Sequence, residues 1–221
     1  MSNVKKSWRD VTINEYFELL DIVNDETLEP YDKEVKVIAF VNGIDENEVW
    51  NLSITDFKAL QAGKSWMSSF EINEKPVFRK IKIGDMKCDV NVSLRDFTVA
   101  QYIDFQTFWP KRKEMEKYMG NILACFIIPT GCKYNEGYDI QKLSASITES
   151  LDIMTANEVL LFFLASYLNS TRATLIYLRL MMMRTMRRMK KPEQKEKMEA
   201  LMKEVKQAQE SILDGFRSLT K

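Results

Sequence analysis

Histidine is absent from all 221 residues, and glycine (7), proline (5) and cysteine (3) are scarce. Without imidazole, acid–base chemistry would fall to carboxylates, Lys, Cys or Tyr, and none of these stands in a recognisable catalytic constellation. Cys88, Cys125 and Cys132 contain no Cys-x-x-Cys pair, and no histidine is present to complete a zinc set. One disulfide would leave an odd thiol, so buried free thiols in a reducing compartment are expected. Low glycine and proline favour long helices over a turn-rich β-sandwich. Long hydrophobic runs are missing too. The most apolar stretch, 159–165, has seven residues and is soon followed by Arg172 and Arg179, whereas a membrane span needs about 20. The first residues are basic with no apolar segment behind them, so a signal peptide is not expected.

Several partial motifs fall short of chemistry. Gly63-Lys64-Ser65 resembles the end of a phosphate loop, but Lys58 occupies the position of its first glycine and a helix precedes it. Gly63 reads better as a helix C-cap. Asp45, Glu46 and Glu48 lack the ligand order of a calcium loop and its bidentate twelfth residue, which leaves a solvated acidic face. Cys132, between Gly131 and Lys133, is the one candidate nucleophile, and it has no evident base. Asn51, Asn91 and Asn169 match the glycosylation pattern, which carries no meaning inside a cell. The expectation is a non-enzymatic protein without cofactor or metal.

Segregated charge is what the chain does have. Lys plus Arg and Asp plus Glu number 32 each. Residues 10–56 nevertheless hold thirteen acids against two lysines. Between Glu158 and Glu193 there is no acid and seven bases. Of these, Arg179, Arg184, Arg187, Arg188, Lys190 and Lys191 form a basic surface. Beneath them Leu175, Leu178, Met182, Met186 and Met189 form an apolar seam at helical spacing. Such a helix suits an acidic protein face or a phosphate backbone, and it also reads as a solvated helix end. No aromatic interleaves the arginines, which disfavours single-strand binding. Protein is therefore the preferred partner, nucleic acid the second, and no membrane contact is expected. The acidic N-terminal region supplies an internal or intersubunit counterpart.

Capping signals and periodicity predict the elements. Thr12-Ile-Asn-Glu15 opens a helix burying Ile13, Tyr16, Phe17, Leu20 and Val23. A second helix over 31–42 carries Val35, Ile38, Ala39 and Asn42 on one stripe and stops at Gly43. Asp45 starts a short turn through Trp50, and Ser53 caps a third helix. Two alternating runs, 77–83 and 86–92, flank Gly84-Asp85 as a β-hairpin. Thr98-Val-Ala-Gln101 opens a helix, Pro110 breaks it, and the next runs over 111–128. A helix over 140–151 follows the polar loop 131–137. Thr155-Ala-Asn-Glu158 caps the longest helix, 156–191, and Pro192 ends or kinks it. Beyond it Met198, Leu201, Val205, Ala208, Ile212, Phe216 and Leu219 keep three-four spacing. That spacing reads equally as a coiled coil or as an amphipathic helix folded on its own domain. The result is a mainly α, α+β protein in three regions: acidic helical 1–70, hairpin plus helices 71–139, and a basic, heptad-like arm 140–221.

Two stretches carry a resemblance. Residues 35–57, with a short helix ending at Gly43, an acidic turn and the step Leu52 to Phe57, resemble the early helices of small phage tail-assembly proteins. Residues 96–106, 122–129 and 133–139 are similar to virion-assembly proteins of phages infecting gut Bacteroidota, including crAss-like phages. The resemblance implies a non-enzymatic assembly role, with a tail assembly chaperone that coats a tape-measure protein as the nearest analogue. The long basic C-terminal helix departs from that pattern and leaves open a neck, ring or packaged virion component. Leu175, Met182, Met186, Leu201, Val205 and Ile212 would then cover a partner's helix. Self-association is compatible with this, as is a location in the host cytoplasm with or without incorporation into the particle.

Overall fold

Side-chain caps start most of the helices, at the places their sequence signals mark. The computed structural model describes residues 4–70, 80–91, 96–188, 200–201, 203 and 206–207. Helix α1 (Ile13–Asn24) begins with a full capping box. Thr12 Oγ1 accepts from the Glu15 amide at 3.3 Å, and Glu15 Oε2 accepts from the Thr12 amide at 2.9 Å. Helix α2 (Pro30–Asn42) starts on a proline that needs no amide partner, and it ends where Gly43 turns left-handed at φ 61°. The expected turn at Asp45 is a short helix, α3 (Glu46–Trp50), capped by that aspartate. Ser53 caps α4 (Ile54–Gly63), whose C-cap is Lys64 rather than Gly63.

Packing departs from the single-stripe expectation in these helices. On one side of α2, Val35, Ile38 and Ala39 pack with Val49, Phe57 and Leu60. On its other side, Val37 and Val41 pack with Leu19 of α1, Trp8 and Trp66. A helix held between two layers buries more than one face, so its pattern is not a clean stripe. In α1 the buried residues are Ile13 and Leu19, while Val23 is 48 % exposed. Trp8 and Trp66 meet edge to face at 5.1 Å, and both indole N–H groups are buried without a hydrogen-bond partner.

Strands β1 (Lys80–Ile83) and β2 (Met86–Val90) form the hairpin, with Ile83 opposite Met86 across Gly84-Asp85. Gly84 has φ 56° and is followed by no second positive φ, the requirement of a II′ turn. Residues 77–79 and 92 of the expected hairpin lie outside the described residues. A third strand was not expected: β3 (Ile127–Pro129) pairs antiparallel with β2, Cys88 opposite Pro129 and Val90 opposite Ile127. The expected helix 111–128 is therefore three pieces: a 3-10 segment (Trp109–Glu114), α6 (Met115–Ala124) and β3. A short, fully buried apolar run has no periodicity to separate helix from strand. What decides it is the edge of β2, which takes the backbone bond from the Thr130 amide to Lys87 O at 2.9 Å.

Helix α5 (Val99–Phe108) opens with the Thr98–Gln101 capping box. It brings Phe105 to Phe126 and Phe163, the last two stacked at 4.0 Å between centroids and Phe105 edge-on to Phe163 at 4.9 Å. Such ring pairs add about 0.5–1.5 kcal/mol each beyond their burial. Helix α7 (Ile140–Ser150), capped by Asp139, lies against α6 at Gly120. Helix α8 (Ile153–Arg188) spans 36 residues. Its first turn is closed by Asp152 Oδ1, which accepts from the Thr155 amide at 2.8 Å, so the expected cap at Thr155 is displaced by one turn. The cause is long-range. Thr12 and Asp152 form a bridge, with Ile13 N to Leu151 O at 3.1 Å and Ile153 N to Val11 O at 2.9 Å, which fixes the chain just before Ile153.

The protein is mainly α with one small three-stranded antiparallel sheet. It divides into compact units 1–163 and 164–221, drawn differently from the sequence regions 1–70, 71–139 and 140–221. Residues 140–163 join the first unit because Leu143, Ile147, Val159 and Phe163 are buried. Met198, Val205, Ala208, Ile212, Phe216 and Leu219, together with Pro192, lie outside the described residues. Among the described residues no helix is long and apolar enough to cross a membrane.

Two glycine substitutions should diverge. A Cβ at Gly120 would lie 2.7 Å from Ser144 O and 2.7 Å from Thr148 Cγ2, whereas one at Gly63 would meet nothing within 4 Å. Gly120→Ala is expected to lower stability by about 1–3 kcal/mol through overpacking. Gly63→Ala is expected to raise it by about 0.5–1 kcal/mol. Urea unfolding of the two variants measures both.

Candidate functional site

The predicted interaction residues fall mostly on α8. Positions 175, 182 and 186 lie within about 40° of one another round the helix axis, and positions 184, 187 and 188 lie on the opposite side. Met182 is half-buried, while Leu180 and Met181 are exposed. Leu201 is helical and 51 % exposed. Leu175, Met186, Arg179, Arg184, Arg187 and Arg188 are placed on α8 by its backbone alone. Val205, Ile212, Lys190 and Lys191 lie outside the described residues.

The thiols divide by burial. Cys88 and Cys125 are buried and Cys132 is exposed, with no disulfide between them. The expectation of buried thiols thus holds for two of the three. Burial pushes the Cys125 thiol up to about 12, and burial likewise raises Cys88. Both stay protonated at neutral pH, the state least able to attack or to bind a metal. Tyr134 donates to Asp104 Oδ2 at 2.8 Å, and burial above all pushes its phenol well up. This pair ties the loop after β3 to α5. The Cys132 thiol has no hydrogen-bond partner among the described residues.

The other partial motifs are occupied by structural contacts. Asp45 Oδ1 accepts from the Asn47 amide at 2.8 Å, and Glu46 meets Lys36 at 2.8 Å. The Lys64 ammonium is engaged by Glu34, whose other oxygen accepts from Gln61 at 2.9 Å. Among the described residues no group of three or more Cys, Asp or Glu is placed to hold a metal ion.

One surface escaped the sequence reading. The 3-10 segment Trp109–Glu114 and the start of α6 present Lys111, Arg112, Lys113 and Lys117 among half-exposed rings. Lys111 Nζ lies 4.9 Å from the Tyr118 ring centroid and 5.9 Å from that of Phe108. Arg112 lies over Trp109 at 5.0 Å, and Lys117 over Tyr118 at 5.4 Å. Beside them a groove of about 680 Å3 runs between α1 (Phe17, Leu20, Asp21, Asn24) and residues 113–117. The signal was the string Trp109-Pro-Lys-Arg-Lys113 with Tyr118 behind it.

No protein-family model, curated protein or solved structure matches this chain.

Two measurements follow from the thiols and phenols. A water-soluble thiol reagent should modify Cys132 at once and reach Cys88 and Cys125 only on unfolding, counted by absorbance before and after denaturant. Groups whose protons are held tighter in the fold stabilise it fully below their unfolded pKa and lose that contribution as pH rises. Stability should therefore decline from about pH 9, near the ordinary thiol value of 9.0, toward about 12. Cys125→Ala should make that decline shallower, by up to about 1.4 kcal/mol per pH unit, measured as denaturation midpoints across the range.

Proposed function

We propose that the chain is a non-enzymatic protein-binding factor in bacteriophage particle assembly, acting in the host cytoplasm as a tail assembly chaperone. The observation that carries this reading is α8, whose 36 residues begin in unit 1–163 and continue into unit 164–221. Exposed apolar side chains at Leu180, Met181 and Leu201 are placed on that unit. Exposed Leu and Met on a long helix offer adaptable contact to another helix's apolar face. The resemblance of residues 35–57 to small tail-assembly proteins, and of 96–106, 122–129 and 133–139 to phage virion-assembly proteins, supports the same role. In this reading Leu175, Met182, Met186, Leu201, Val205 and Ile212 cover the partner. The basic positions 179–191 set its orientation. A neck, ring or packaged virion component would use the same surface.

A second reading, nucleic-acid binding, is favoured by the unbroken basic run between Glu158 and Glu193. It predicts affinity that falls steeply with salt and a slope flattened by neutralising Arg184, Arg187 and Arg188.

The test of the chaperone reading is co-expression with the tape-measure protein of the same phage. The wild-type chain should keep that protein soluble. Met182→Glu, Met186→Glu and Leu201→Glu together should leave it in the pellet, with the variant's own helical content unchanged by circular dichroism. Equal solubility with both chains would overturn the reading.

A further inference from the structure

We draw no further inference here: the strongest candidate, the exposed apolar face of α5 at Val99, Tyr102 and Ile103, carries nothing because nothing in the structure shows what covers it.

Discussion

Glu158 is 1 % exposed, and its carboxylate is met by the Arg9 guanidinium at 2.7 Å. Arg9 also donates to Thr155 at 3.3 Å and lies 3.9 Å from Asp152. The Arg9 side chain is half-exposed while the Glu158 carboxylate is interior, so losing the guanidinium would leave a buried carboxylate without this partner. The consequence of the pairing is geometric. The pair and the Thr12–Asp152 bridge fasten the N-terminal segment to the first turns of α8. From that fastening α1 departs at Ile13 on one side. On the other, α8 places Phe163 against Phe126 and Phe105.

The same economy of charge runs through unit 1–163. Lys5 is 7 % exposed, yet its ammonium bonds Glu15 at 2.7 Å and lies 5.3 Å from the Phe40 ring centroid. Burial raises the Glu15 pKa, but the hydrogen bonds from Lys5 and Thr12 outweigh it and leave the carboxyl below its ordinary value. That contribution is present above the unfolded carboxylate pKa and is lost as pH falls through the lower folded value.

Legibility followed the range of the interaction. Thr12 with Glu15, Thr98 with Gln101, Ser53 and Gly84 act within a few residues, and each does what its local signal announces. Ile127 and Ile128 carry a helical expectation because their strand partner lies almost forty residues earlier, and no local period reports it. The start of α8 was misplaced by one turn for the same reason: Val11, not a neighbour, takes the Ile153 amide. On the candidate surfaces, the seam through positions 175, 182 and 186 was visible as periodicity. The groove was not, because its lining joins α1 to residues nearly a hundred positions away.

The amino-acid order alone determined the helical class, the caps, the hairpin turn and the opposed charges of the two ends, because these depend on backbone conformation and composition over short spans. The tertiary structure decided which apolar faces are buried, where α8 begins and that the sheet has a third strand. It also decided that Lys5 and Glu158 are interior. Those outcomes rest on contacts between distant residues, whose free energy no local pattern encodes.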